Sequence, residues 1–293
     1  MKKEILTSVA AALVSFGFVA SLFAADSADA PETVATSDGR VLKLTWHDEF
    51  NGEGLPDETQ WSYEVGFVRN SEEQYYTKGR LENIFQKDGF LTIRTLKEEY
   101  DLTGKPNAKG REKAEYTSAA IETLGKASWQ YGRVEVRAKL PQGKGIWPAI
   151  WMKGANNNEV GWPRCGEIDI MEYVGHKPRT THGTIHMQRK DAERGKVVSR
   201  TGMIKFEDGP EKPEESFHVY ALEWTKDYLK IFVDDQLELD FQRAEEEPKA
   251  ESWPFDQPCF MILNTAIGGS WGGVIGSDTC PAEFIIDYVR VYQ

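Results

Sequence analysis

Three carboxylates fall within six residues in the run Gly166-Glu167-Ile168-Asp169-Ile170-Met171-Glu172. Side chains alternate faces along a β-strand, so Glu167 and Asp169 share one face while Ile168 and Ile170 take the other. Glu172 lies five positions from Glu167 and would point the wrong way in a regular strand. A β-bulge that absorbs Met171 returns it to the face of the other two acids. Like charges this close cannot all stay ionised, so at least one carboxyl should keep its proton near neutrality. An ionised carboxylate beside a protonated carboxyl is the pair that retaining glycoside hydrolysis needs. The first attacks the anomeric carbon and the second protonates the leaving oxygen. A solvated acidic edge strand or an oxygen-rich calcium site would fit the same run, so the run alone does not choose.

The elements that must hold these residues are strands. From Val41 onward the pattern has period two and is punctuated by Gly, Pro, Asn and Asp. Tyr131–Lys139 alternates cleanly, and Leu91–Arg94, Thr181–His186, Val219–Trp224, Leu229–Val233, Leu237–Phe241, Phe260–Thr265 and Phe284–Tyr292 read the same way. Asp234-Asp235 is the expected hairpin turn, and one short helical turn is expected within Ala244–Glu251. Many short strands with frequent turns indicate an all-β fold, a sandwich of two antiparallel sheets. No linker, repeat or change of composition divides residues 41–293, which read as one domain.

Composition narrows the partner. The 293 residues carry a net charge of −12, which disfavours nucleic acid and, less strongly, an anionic polysaccharide. Nine tryptophans suggest flat surfaces that stack on sugar rings, although a single Trp serves a core equally well. Lys2 and Lys3 precede an apolar run that ends near Ala25. Residues 1–24 therefore read as an export signal and 25–40 as a disordered leader. No other segment could cross a membrane, so the mature chain is expected to be secreted or periplasmic. Of the three cysteines, Cys259 with Cys280 is the expected disulfide, and Cys165 a buried spectator.

Several further motifs occur in order. They are Trp46-His-Asp-Glu-Phe-Asn51, Glu73-Gln-Tyr-Tyr-Thr77, Gly145-Ile-Trp-Pro-Ala-Ile-Trp-Met152, His182-Gly-Thr-Ile-His186, Trp253-Pro-Phe-Asp-Gln-Pro258, Gly268-Gly-Ser-Trp-Gly-Gly273 and Asp287-Tyr-Val-Arg-Val-Tyr292. With the acidic run they make residues 42–293 resemble glycoside hydrolase family 16, specifically its laminarinase-type bacterial β-glucanases. The resemblance implies a β-jelly-roll with a concave substrate cleft. It implies Glu167 as nucleophile, Glu172 as general acid/base and Asp169 as the residue that tunes both. The six-residue spacing resembles the bulged branch of the family; lichenases and plant transglycosylases use a five-residue form.

By the same resemblance the substrate is a polysaccharide, a β-1,3-glucan of laminarin type with mixed-linkage β-glucan as an extension. A hydrolase of marine galactans and a non-catalytic glucan-binding protein are the alternatives. Trp147 and Trp151 are four apart and share a strand face unless Pro148 kinks it. These two, with Trp162 and Trp271, are expected to contact sugar. His186, Asn70 and Glu73 complete the expected substrate set. No cofactor is expected for catalysis; a structural calcium would take oxygens from Glu49, the Gly89 backbone and Asp287. A monomer is the expected state.

Overall fold

A computed structural model of the chain describes residues 30–188, 196–246 and 253–293. The expected signal over 1–24 and the first residues of the leader lie outside the described residues. The first strands are β1 (Thr33–Ala35), β2 (Val41–Asp48), β3 (Ser62–Tyr63), β4 (Gln74–Tyr76), β5 (Ile84–Lys87) and β6 (Phe90–Asp101). Then come β7 (Lys113–Ser118), β8 (Ala120–Glu122), β9 (Gly132–Lys139), β10 (Ile146–Gly154), β11 (Glu167–Tyr173) and β12 (Thr180–Gln188). The last are β13 (Val197–Lys205), β14 (His218–Trp224), β15 (Tyr228–Val233), β16 (Gln236–Gln242), β17 (Cys259–Ile267) and β18 (Ala282–Tyr292). Helices are single turns: α1 (Asn157–Val160), α2 (Arg243–Glu246) and α3 (Gly269–Gly272).

These strands form two sheets, the all-β sandwich that alternation predicts and the jelly-roll that the resemblance implies. One sheet has seven strands in the order β13-β12-β11-β10-β17-β8-β3. The other has eleven, with β9 and β18 at its centre. Pairing is antiparallel except where β4 runs parallel to β7. Between the sheets lies one large apolar cluster containing Ile150, Ile168, Ile170, Met171, Ile185, Leu222, Ile231 and Val289. The Asp234-Asp235 turn joins β15 to β16 with positive φ at both residues (48° and 63°), as a two-residue hairpin of matching twist requires.

Two expectations about boundaries change. Residues 33–40 are not part of a disordered leader: β1 pairs with β2, and Ser37 donates to the buried carboxylate of Glu223 from both its N–H and its hydroxyl. Backbone and side-chain bonds together hold what composition alone reads as loose. The Cys259–Cys280 bridge is also absent, and all three cysteines are free thiols. Cys259 is fully buried in β17 with Cys165 as its thiol neighbour, and Cys280 leads into β18 elsewhere.

The catalytic-type run is β11, at the third position from one edge of the seven-stranded sheet. A bulge interrupts it. Against β12, Asp169 pairs with Thr184 and Glu172 with His182, three steps on one strand to two on the other. Against β10, Trp151 pairs with Asp169 and Ile150 with Met171, so the skipped residue is Ile170 and not Met171. Both turn into the core and are fully buried, because two adjacent apolar side chains gain more by burial than either would on the polar face.

Beneath the far end of this sheet, β16 sends Glu238 between the layers. Its Oε1 accepts from Thr181 Oγ1 (3.1 Å) and from the Ile204 N–H (3.2 Å), while Oε2 is buried without a partner. Gly202 permits the approach, since a Cβ there would meet the Glu238 carbonyl at 1.9 Å. Burial pushes the Glu238 carboxyl up to about 7.

Removing the extra residue should leave a regular ladder: without Met171, Glu172 follows Ile170 and still falls on the face of Asp169. The Met171 deletion is expected to fold, with stability lowered by about 2–5 kcal/mol for the lost buried side chain, measured by denaturant unfolding. An unfolded chain would show that the bulge itself is required. Glu238 gives a second test. Its folded value lies above its unfolded one, so its stabilising contribution is complete below about pH 4.5 and lost as pH rises through about 7. Glu238→Gln should therefore raise stability at pH 8 relative to the parent, by at most roughly 3 kcal/mol, and flatten that slope in a melting series. An unchanged slope would contradict this.

Candidate active site

Alternation on five adjacent strands builds one cleft face. Trp147, Ala149, Trp151 and Lys153 from β10, Glu167, Asp169 and Glu172 from β11, and Thr184 and His186 from β12 line it. Thr201 from β13, Asn264 and Ala266 from β17 complete the floor, and Arg69, Asn70, Glu72, Trp162 and Trp271 form the walls. Pro148 does not turn the strand away, and β10 pairs with β17 along its whole length. The cavity holds about 550 Å³, within the usual range for ligand sites.

The three acids stand together as the bulge predicts. Burial pushes the Glu172 carboxyl well above the usual range, and Asp169 beside it pushes further. Asp169 is also raised well above its ordinary value, by burial first and then by Glu167. Glu167 is raised by burial too, but His186, Lys153, Arg69 and a hydrogen bond from Trp162 all favour its ionised form. The row is thus graded, with the compensating cations and donor gathered on Glu167.

His186 supports that end. Its Nε2 lies 3.3 Å from Asp169 Oδ2 and 3.9 Å from Glu167 Oε1, and its Nδ1 is 2.7 Å from Ser199 Oγ. Glu167, Asp169 and His186 keep one ligand-type atom each within 4.8 Å. His182, four positions before it on β12, is buried beside Trp271, with ring centroids 5.3 Å apart.

The tryptophans divide into different tasks. Trp147 donates its indole N–H to Glu172 Oε1 at 3.0 Å and packs edge-on against Trp271, centroids 5.3 Å apart. Trp151 is largely buried, with its N–H on Asn264 Oδ1 (2.8 Å) and the Arg69 guanidinium 4.9 Å over its ring. Trp162 is the exposed one, at 46%. It offers the open aromatic face that a sugar ring needs.

One expected wall residue is wrong by one position. Glu73 faces out of the cleft and pairs with Arg111 at 3.4 Å, whereas Glu72 lines it. Glu72 accepts from Gln74 Nε2 (2.7 Å) and Asn70 Nδ2 (3.2 Å), and Tyr76 Oη lies 3.4 Å away. Tyr76 Oη in turn accepts from Asn264 Nδ2 at 2.9 Å, which joins wall to floor. Counting by twos back from Tyr76 gives Gln74 and Glu72, a signal already present in the sequence. Arg69 stands in the wall beside Asn70, in the loop that resembles a cleft-wall segment, whereas Lys153, Thr184, Thr201 and Asn264 carried no such signal, because each is ordinary in its own strand.

The expected calcium donors lie on the other sheet. Register brings them to one end: β18 pairs Ile286 with Leu91 just after the Gly89 turn, and Val289 with Asp48 just before Glu49. Both Glu49 oxygens, however, accept from Arg290 (2.9 and 2.7 Å), and Asp287 pairs with Arg137. The Glu49 carboxylate therefore does not fit a cation ligand, since a guanidinium already neutralises it.

The model of glycosyl hydrolases family 16 matches residues 69–290. A beta-glucanase of Rhodothermus marinus is 45% identical over 260 residues, covering 86% of this chain and 85% of its own. Among solved structures, an endo-beta-1,3-glucanase from Pyrococcus furiosus superposes with a TM-score of 0.80 at 38% identity, over 90% of this chain and 98% of its own. A laminarinase from Rhodothermus marinus gives 0.75 at 42% identity, over 86% and 97%.

The graded row makes a direct prediction. In a carboxyl ¹³C titration by NMR, Glu167 should ionise first, and Glu172 and Asp169 only at higher pH. Glu172 ionising together with or before Glu167 would contradict the grading.

Proposed function

This chain belongs to glycosyl hydrolases family 16, and we propose that it is an endo-acting β-1,3-glucanase that works by double displacement with retention. The observation that carries the proposal is the bulged row Glu167, Asp169, Glu172 on one cleft face, graded so that its two ends suit opposite roles. Glu167, ionised and supported by His186 and Trp162, attacks the anomeric carbon and forms a glycosyl-enzyme. Glu172, held protonated by burial, gives its proton to the departing glycosidic oxygen. It then removes a proton from the water that releases the sugar. Asp169, neutral between them, keeps the row from carrying three charges.

The names of the relatives support a β-glucan, and a chain of net charge −12 suits a neutral one. Export with loss of residues 1–24, and action as a monomer, complete the reading. The expected calcium site fits neither carboxylate, since Arg290 holds Glu49 and Arg137 holds Asp287. Added Ca²⁺ and EDTA should therefore leave the melting temperature unchanged; a rise with Ca²⁺ would restore the site.

The function is tested by reducing-sugar release from laminarin, mixed-linkage β-glucan and agarose. Laminarin should be cut to short oligosaccharides, and Glu167→Gln and Glu172→Gln should each lose orders of magnitude in turnover while melting normally. Near-parental hydrolysis by either variant would sink the role assignment. Activity on agarose alone would keep the chemistry and overturn the substrate.

A further inference from the structure

Trp147 occupies an unusual place for a subsite aromatic. It is 9% exposed, and its indole is wedged among Val174, Ala266 and Trp271. Its one polar atom, Nε1, is spent on Glu172 Oε1 at 3.0 Å. An indole N–H is a donor only, so the oxygen it meets must present a lone pair. When Glu172 is protonated, its carbonyl oxygen is the better acceptor, so the indole at Oε1 favours the proton on Oε2.

We propose that Trp147 is a positioning residue that fixes which oxygen of Glu172 carries the transferable proton. The proposal rests on Glu172 being the acid/base, as argued above. Without the indole, the carboxylic acid has no preferred oxygen for its proton, whereas with it the oxygen left unengaged by Trp147 is the one that can donate to the glycosidic oxygen. The surrounding frame makes the indole a rigid reference. Trp271 closes edge-on at 89°, and the strand continues in register with β17 on the far side, where Trp147 pairs with Ala266.

The bond also bears on pH. A donor favours the ionised carboxylate over the acid, so the Trp147 N–H opposes the burial that raises Glu172. The other titratable groups facing Glu172 are Asp169 and Glu167 on its own strand and His182 and His186 on β12. Removing the indole N–H leaves all four in place. The basic limb of kcat/KM, set by loss of the Glu172 proton, should then move to higher pH, and the acidic limb should stay.

The test uses Trp147→Phe, which keeps an aromatic ring and deletes the donor. kcat/KM is measured across pH on laminarin and on a 2,4-dinitrophenyl β-laminaribioside, whose leaving group needs no proton. On laminarin a loss of about tenfold or more is expected, the scale of one hydrogen bond to a charged group, with the basic limb raised by about one pH unit. On the activated glycoside the loss should stay below about threefold. Equal losses on both substrates with an unmoved limb would overturn the proposal and leave Trp147 as packing or stacking surface. Glu172→Gln run beside it separates the two levels: if the activated glycoside does not rescue that variant, the acid/base role fails and this proposal with it. Should Trp147→Phe not fold, the parental protein still decides. Its Trp147 indole ¹⁵N–¹H resonance should titrate together with Glu172, and a resonance that does not move over that range would overturn the assignment.

Discussion

The structure depends on keeping three carboxyl groups in one row at the floor of a half-enclosed cleft. An isolated buried charge costs several kcal/mol even after relaxation, far more than any single contact in the cleft returns. The row is tolerable because it is not fully charged. Burial and mutual repulsion push the Asp169 and Glu172 carboxyls toward their protonated forms, and the compensating groups are concentrated on Glu167. On the reverse of the same strand, Ile168, Ile170 and Met171 are completely buried and contribute about 1.5–3 kcal/mol each. The apolar face thus anchors a strand whose polar face is electrostatically unfavourable, and the bulge allows one strand to do both.

The remaining cleft residues follow from that arrangement. Two indole N–H groups meet the two glutamates, Trp162 on Glu167 and Trp147 on Glu172. A third, Trp151, is turned to the floor amide Asn264, whose own N–H reaches Tyr76. The aromatic residues are therefore as much hydrogen-bond donors as stacking surfaces. That matters in a site where carboxyls lose their water and neutral donors can orient them without adding charge.

Much of this was legible in the sequence. Period-two patterning located most long strands and the two-layer fold; parity put Glu167 with Asp169 and Trp147 with Trp151, and the bulge read from the spacing added Glu172. The same parity, counted from Tyr76, selects Glu72 over Glu73. Other features were not legible, for physical reasons. Which bulge residue is skipped depends on the β10 ladder, a partner 20 residues away in sequence. The order of residues 33–40 comes from Glu223, nearly two hundred positions on. Glu49 reads as a hard-cation ligand until Arg290, across the sheet, is seen to hold both its oxygens. Strand β13 was missed because both its faces are mixed: the outward one carries Met203 beside Ser199, Thr201 and Lys205, and the inward one Arg200 and Gly202 beside Val198 and Ile204.

The central claim is that Glu167 forms the covalent bond while Glu172 handles the proton. Trapping with a 2-deoxy-2-fluoro-β-laminaribiosyl fluoride, followed by intact mass and peptide mapping, tests it most directly. The account predicts a single glycosyl adduct on Glu167. An adduct on Glu172 or Asp169, or no adduct on a protein that still hydrolyses laminarin and releases the inverted anomer, would contradict it.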